Sequence, residues 1–159
     1  MPKGVPGAAL PIETDGDREC GECTGCCYAL GVPELKKPAD TGCQQCVPRQ
    51  GCQIYDRRPR SCAAFDCLWL RGRVPYLDRP DRSGVVLAAA PGGGRGVLVA
   101  LPAWEGALSQ FRATFLLGRL AEKQVVIVKE PGKGRILGPK VLVEKVTTFL
   151  KRAAAKKAS

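Results

Sequence analysis

The second half of the chain shows the clearer pattern of apolar and polar positions. Short apolar runs at 85–89 and 97–101 flank a glycine-rich segment at 91–96. Two such runs joined by turn-forming residues predict a β-hairpin. The β-branched run at 125–128 predicts a further strand, and the glycines of 132–134 turn it towards another short apolar stretch. Together these segments predict a small β-sheet.

Two helices are predicted in the same half. Residues 106–123 carry apolar side chains at helical spacing, and the segment that follows Pro139 carries a second apolar stripe. The two stripes consist of Leu108, Phe111, Phe115 and Leu120, and of Leu142, Val146, Phe149 and Ala153. The predicted fold class is α+β, with an irregular cysteine-rich lobe followed by a small mixed β-sheet with two helices.

The first half shows little sustained periodicity. Residues 1–15 are rich in Pro, Gly and Ala and predict a flexible N-terminal arm. Residues 16–82 contain several Gly and Pro breakers, as expected for loops that fold around metal, with a short helix within 61–70 and a linker at 78–82. We therefore predict an arm, a cysteine-cluster metal-binding region and, over residues 83–159, a basic α+β region.

Composition restricts the class of protein. A chain of 159 residues has a normal size for one domain, and 45% hydrophobic with 25% charged residues is typical of a folded globular protein. The sequence has no apolar run as long as a secretory h-region or a membrane span. We therefore expect a cytoplasmic protein without a membrane partner. In that reducing compartment, clustered cysteines are more often metal ligands or redox groups than disulfides.

Positive charge is concentrated in the second half. Residues 1–82 contain 12 Lys and Arg against 11 Asp and Glu, whereas residues 83–159 contain 13 against 4, giving net charges of +1 and +9. This excess favours nucleic acid or an acidic protein as a partner. Aromatic residues make up only 6% of the chain and are not interleaved with the basic tail at 151–157, which disfavours a stacking platform for single strands.

The strongest chemical feature is a set of nine cysteines in a chain that has no histidine. The candidate metal ligands are Cys20, Cys23, Cys26, Cys27, Cys43, Cys46, Cys52, Cys62 and Cys67. The Cys-x2-Cys spacing occurs three times among them, and it lets one tight turn direct two sulfurs at one ion. Thiolates favour zinc, iron–sulfur clusters or Cu(I), and the lack of imidazole excludes a mixed Cys/His site formed by this chain alone.

Spacing alone leaves the number of ions open. Eight thiolates fill two four-thiolate zinc sites and leave one spare, and nine can also hold a three-metal cluster with bridging sulfurs. Adjacent Cys26 and Cys27 cannot easily face one ion, so we expect them to bind different ions or one of them to bridge. The predicted cofactor is zinc, as two or more ions, with iron or an iron–sulfur cluster as the alternative. Cys27 and the missing Cys-Pro end depart from the ferredoxin pattern.

The cysteine-rich half also resembles a known family. The segments CGECTGCC at 20–27, CQIYDRRPRSC at 52–62 and FDCLWL at 65–70 are together similar to the YkgJ-type cysteine-cluster family, which is described as a zinc- or iron-chelating domain. The resemblance implies seven ligands, with Cys43 or Cys46 as the eighth: Cys20, Cys23, Cys26, Cys27, Cys52, Cys62 and Cys67. Many members have Arg after the cysteine that matches Cys62. This chain has Ala63 there, so no role for that arginine is transferred.

Other residues give weaker signals. Arg57, Arg58 and Arg60 lie close to Cys62 in sequence, and their guanidinium groups either offset the charge of metal-bound sulfur or form a solvated surface. The chain has no histidine base, no Ser/His/Asp arrangement and no evident paired-carboxylate site. We therefore predict a non-catalytic metal-binding protein with a structural, metal-handling or partner-binding role. The alternatives are an iron–sulfur redox protein and a nucleic-acid- or ribosome-associated zinc module.

Overall fold

The structure is a computed structural model that describes residues 18–92 and 96–158. The predicted arm at 1–15 and the loop residues 93–95 lie outside the described residues. The α-helices in the described part are α1 (Gly25–Ala29), α2 (Arg60–Ala63), α3 (Pro80–Ser83), α4 (Phe111–Ala121) and α5 (Lys140–Lys157). The strands there are β1 (Cys46–Val47), β2 (Gly51–Cys52), β3 (Val85–Ala89), β4 (Val97–Pro102), β5 (Val125–Glu130) and β6 (Lys133–Leu137).

Strands β3 to β6 form a four-stranded mixed sheet in sequence order. The predicted hairpin is present as β3 and β4, with Leu87 opposite Ala100, and β5 and β6 are also antiparallel, with Ile127 opposite Ile136. Strands β4 and β5 are parallel, with Ala100 opposite Val128. Helix α4 connects them, because a tight turn cannot join parallel neighbours. The predicted α+β class is confirmed.

The larger hydrophobic core lies between one face of this sheet and helix α4. Leu87, Ala100 and Val126 point to that face from three neighbouring strands and pack in one cluster with Leu116 and Leu117 of α4. All five residues are buried. Every second residue of the strands and one stripe of α4 therefore face each other and form a shared core.

The cysteine-rich half contributes directly to the same core. Leu68, Trp69 and Val74 are buried in it. The Leu68 backbone N–H donates to the Leu87 carbonyl at 2.8 Å, so this segment hydrogen-bonds to strand β3. The Trp69 indole N–H donates to the carbonyl of Tyr76 at 2.8 Å. Residues 68–74 are thus part of the sheet's packing, which periodicity did not predict.

Helix α1 lies on the opposite face of the sheet. Its residue Ala29 forms a second buried cluster with Val86 of β3 and with Ala103, which directly follows β4. Because Val86 and Leu87 are consecutive strand residues, they point to opposite faces. The sheet therefore separates α4 from the helix that carries two of the predicted ligands.

Helix α4 buries a different face from the one that sequence spacing suggests. Phe111 and Phe115 are 83% and 57% exposed, whereas Leu116 and Leu117 are buried. The apolar stripe was counted from Leu108, which lies in a separate turn of 3-10 helix that ends before α4 begins. This break changes the helical phase. The predicted helix is therefore present, but its two phenylalanines face solvent.

Helix α5 begins directly after Pro139, as predicted, and no residue of it is buried. Two members of its predicted stripe, Leu142 and Phe149, are 38% and 57% exposed. The helix lies beside strand β5 and adds little to the core. In the described part of the chain, no helix has the length and apolar content needed to cross a membrane.

Of two local predictions in the cysteine-rich half, the short helix is present but covers only the start of its range, and the linker is wrong. The short helix expected within 61–70 is α2, which ends at Ala63, because the chain then turns to hydrogen-bond Leu68 with strand β3. The expected linker at 78–82 is instead largely helical: Pro80 occupies the first position of α3 and is buried. Proline suits that position because its missing N–H has no helical partner there.

Candidate metal centre

Seven of the nine predicted ligands line one small cavity of about 60 Å³. They are Cys20, Cys23, Cys26, Cys27, Cys43, Cys52 and Cys62. Most of the remaining lining is apolar and includes Leu30, Val32, Ile54 and Phe65. The structure therefore brings together thiols that are up to 42 positions apart in the sequence, from Cys20 to Cys62.

Helix α1 positions the first group of thiols. Cys20 and Cys23 flank a turn closed by the Cys23 N–H, which donates to the Cys20 carbonyl at 2.8 Å. Cys26 and Cys27 follow on α1 itself. Gly25 seats this helix on the sheet, because a Cβ atom there would lie 2.7 Å from the Pro80 Cβ. Within the cysteine run, Gly25 is therefore required by packing.

The hairpin β1–β2 positions the next group. The Cys46 N–H donates to the Cys43 carbonyl at 3.1 Å, and Cys46 pairs with Cys52 across the hairpin. Gly51 has a φ of +80°, and a Cβ there would overlap the Gly21 carbonyl oxygen. Only glycine combines that left-handed backbone with so close an approach. The hairpin is thereby held against the turn that carries Cys20 and Cys23.

Cys62 is held by an interaction between distant segments. Both carboxylate oxygens of Glu34 accept hydrogen bonds from Ser61, from its backbone N–H at 3.0 Å and from its hydroxyl at 2.6 Å. These bonds lower the pKa of Glu34. They also fix the start of helix α2, where Ser61 directly precedes Cys62. Glu34 is a positioning residue that the sequence pattern did not reveal.

Three thiols form a hydrogen-bonded chain. Cys26 donates to Cys27, and this bond, together with burial, raises the pKa of Cys26. The bond that Cys27 accepts from Cys26 lowers its own pKa, but the bond that it donates to Cys46 and its burial outweigh this effect, so the pKa of Cys27 is raised. Cys46 is not among the lining residues of the cavity, yet it contacts a thiol that is.

Cys67 takes a different position. It does not line the cavity and packs instead against both hydrophobic clusters. Its sulfur accepts a hydrogen bond from the Leu70 backbone N–H at 3.4 Å. Burial raises the pKa of Cys67. The surroundings of Cys67 are those of a core residue, which sets it apart from the seven cysteines that line the cavity.

Burial also governs the remaining thiols. It raises the pKa of Cys23 to about 12 and raises the pKa values of Cys20 and Cys62. An apolar wall penalises thiolates because they lose hydration, and a nearby cation reverses that penalty. The cavity thus disfavours free thiolates but suits sulfur that is paired with a cation.

Two cationic side chains approach the thiols. Arg58 lines the cavity, and its guanidinium carbon lies 4.0 Å from the centre of the Tyr55 ring. Arg58 donates to the Tyr55 hydroxyl, which in turn donates to Cys20. Of the three arginines singled out in the sequence, Arg58 alone is among the lining residues, and Arg57 and Arg60 are not.

Lys37 is the second cation, and no sequence pattern indicated its role. Its Nζ donates to the carbonyls of Leu30 at 2.6 Å, Pro38 at 3.0 Å and Tyr28 at 3.2 Å. The Tyr28 and Leu30 bonds satisfy carbonyls at the end of α1. Burial lowers the pKa of Lys37, while the neighbouring Cys43 and Cys27 act in the opposite direction.

The cysteine side chains are suited to a soft metal, although their sulfur atoms do not meet at one point. All nine cysteines are free. Across residues 18–92 and 96–158, no group of three or more Cys, Asp or Glu side chains has a geometry that could hold a metal ion. The thiols surround the cavity, and rotation about χ1 is the motion open to each of them. Several clustered cysteines are compatible with metal binding.

Comparison of the chain with family models, with curated proteins and with solved structures found no significant match.

Proposed function

We propose that this protein binds metal ions, zinc foremost, through its cysteine cluster and has a non-catalytic structural, metal-handling or partner-binding role. The observation that carries the proposal is that seven thiols line one cavity of about 60 Å³. Sites for small organic molecules usually enclose about 300–1,000 Å³. The cavity is therefore too small for such a substrate and has the size of a site for one or two ions.

The chemistry of the lining supports the same proposal. Thiolates are the ligands that zinc prefers in structural sites, and four of them saturate the ion without leaving a position for water or substrate. With no histidine in the chain, four-thiolate ligation is the simplest zinc site available to it. Arg58 and Lys37 would offset part of the negative charge of such a site.

The resemblance to the YkgJ-type cysteine-cluster family that the sequence motifs suggest is part of the same proposal, and it points to zinc or iron without choosing between them. The same thiols would also suit an iron–sulfur cluster. A cytoplasmic location fits this proposal because a reducing compartment keeps thiols available as ligands.

Elemental analysis of protein purified without oxygen, combined with a visible spectrum, tests the proposal. We expect a colourless protein with close to two zinc ions per chain. The variant Cys27→Ser should lose at least one ion, because Cys27 lies both on the cavity and in the thiol chain. Thr24→Ser is the matched control within the same run and should keep the full metal content.

The outcomes separate the alternatives. If the purified protein is brown and contains iron and sulfide, the cofactor is an iron–sulfur cluster and not zinc. Protein without stoichiometric metal would overturn the proposal, as would a Cys27→Ser variant and a Cys62→Ser variant that both keep the native metal content and fold.

A further inference from the structure

The exposed face of helix α4 is unusual for a helix that packs on a sheet. Phe111 and Phe115 are 83% and 57% exposed, and their rings stack with centroids 6.1 Å apart and planes inclined by 20°. Next to them along the helix, Gly118 has no atom within 4 Å of the place where a Cβ would stand. Two aromatic rings and an open backbone surface thus face solvent together.

Cations flank these rings. The Arg119 guanidinium carbon lies 5.8 Å from the centre of the Phe115 ring. Arg112 follows Phe111 directly, and its guanidinium donates to the Leu77 carbonyl at 3.1 Å. This bond ties the arginine to a neighbouring segment of the fold. Of these two arginines, Arg119 is the one that contacts a ring, and Arg112 adds a second positive charge on the same helix.

A polar cleft of about 640 Å³ meets helix α4 at Thr114. Helix α4 contributes Thr114, which lies between the two phenylalanines in sequence, and strand β6 contributes Lys133 and Arg135. The lining of the cleft has one acidic residue, Glu130, and therefore carries two positive charges and one negative charge. The cleft is large enough for a nucleotide-sized group.

We propose that the exposed face of α4 and this cleft bind single-stranded nucleic acid. Bases would stack on Phe111 and Phe115, while Arg119, Lys133 and Arg135 would bind phosphates. Aromatic rings accept the flat face of any base, and a cationic groove follows the backbone, which is the usual arrangement for sequence-tolerant binding of single strands. In a duplex the bases are already stacked on each other, so the rings favour a single strand.

Charge favours nucleic acid over a protein partner. Residues 83–159 contain 13 Lys and Arg against 4 Asp and Glu. A protein would need to supply carboxylates and apolar side chains at matching places, whereas every nucleotide carries both an anionic phosphate and a flat base. The proposal does not rest on metal binding, because α4 and α1 lie on opposite faces of the sheet.

Fluorescence anisotropy with fluorescein-labelled U15, dT15 and a 15-base-pair duplex tests this proposal on the whole protein as purified, at several salt concentrations. We expect both single strands to bind more tightly than the duplex, with affinity that falls as salt rises. Comparison of U15 with dT15 shows whether the preferred strand is RNA or DNA.

Paired variants test the named residues. Phe111→Ala/Phe115→Ala should weaken binding by about tenfold or more, because stacking on each ring is lost, and should leave the salt dependence unchanged. Phe149→Ala is the matched control, since Phe149 of α5 is also 57% exposed. Arg119→Gln should reduce the slope of log affinity against log salt by about 0.7, the value for one phosphate of a single strand.

Three results would overturn the proposal: no binding of U15 or dT15 at low salt, equal binding by the double variant and the wild type, or a loss as large in Phe149→Ala. Self-association or capture of an acidic protein that depends on Phe111, without oligonucleotide binding, would assign the face to a protein partner. Unchanged circular dichroism and metal content in each variant confirm that its fold is intact.

Discussion

Gly25 is the point at which the cysteine run touches the sheet. A Cβ there would lie 2.7 Å from the Pro80 Cβ and 3.1 Å from the Val86 Cγ2, in a tightly packed interior. Both neighbours are short, rigid side chains of buried residues, so relief requires helix α1 to move. Gly25, one of the two residues between Cys23 and Cys26, therefore determines where the thiols lie.

We predict that Gly25→Ala lowers the free energy of unfolding by about 1–3 kcal/mol, as expected for overpacking. It should also weaken zinc binding, because α1 carries Cys26 and Cys27. Urea unfolding of the reduced protein measures the first effect. The control is Gly118→Ala, where the helix is open to solvent and alanine should stabilise by up to about 1 kcal/mol. A Gly25→Ala variant as stable as the wild type would contradict the packing argument.

Arg58 supports the thiols through Tyr55. Its guanidinium stacks on the ring at 4.0 Å and donates to the hydroxyl that donates to Cys20. We predict that Arg58→Gln weakens zinc affinity by about tenfold, the lower end of the range for outer partners of metal ligands. Competition with a chromophoric chelator measures the change.

The neighbouring arginine provides the comparison. Arg57 is not among the lining residues of the cavity, so Arg57→Gln removes the same charge at nearly the same place in the sequence and should bind zinc as the wild type does. If both variants lose affinity equally, the effect of Arg58 is one of general charge and does not depend on its contact with Tyr55.

At the scale of elements, the short hairpin β1–β2 depends on one backbone conformation. Gly51 has a φ of +80° and directly abuts Gly21. We predict that Gly51→Ala lowers the free energy of unfolding by more than about 2 kcal/mol, because a left-handed conformation and a steric overlap add together. It should also raise the reactivity of the thiols towards a disulfide reagent.

The matched control is Gly42→Ala. Gly42 lies near the same hairpin, and a Cβ there would have no neighbour within 4 Å. This variant should react and unfold like the wild type. Similar losses in both variants would show that the loop is sensitive to any added side chain.

The elements also show what the sequence could and could not predict. Strands β3 to β6 follow from β-branched runs and glycine turns, because these signals are local. The exposed face of α4 did not follow, because the break after Ser109 shifts the helical phase. The core role of Leu68 and Trp69 was also missed, since it depends on a pairing with strand β3 that local periodicity does not record.

The candidate site was also predictable only where its signals are local. Cysteine spacing identified the thiols, but convergence of seven of them on one cavity depends on Gly25 and Gly51, whose importance lies in contacts with distant backbone. Glu34 and Lys37 act through hydrogen bonds to Ser61 and to the end of α1. An isolated Glu or Lys in a sequence carries no signal for such contacts.

At the scale of the whole molecule, the two halves share one core, so metal removal should affect both. We predict that a chelator lowers the free energy of unfolding by about 4 kcal/mol or more, relative to protein with free zinc at about 1,000 times its Kd. The loss should appear in the sheet as well as in the cysteine-rich half. Hydrogen exchange of β3 and β5 amides, with and without chelator, measures it. Unchanged protection of these amides would show that the halves unfold independently.

The hydrogen bond from Leu68 to Leu87 and the burial of Trp69 have a consequence for biosynthesis. The cysteine-rich half leaves the ribosome first, but the surface that covers Leu68 and Trp69 is synthesised only with β3, β4 and α4. Until then, the thiols stand in an incomplete fold that is open to solvent. The order of synthesis thus provides an interval in which the sulfurs are accessible before the sheet closes behind them.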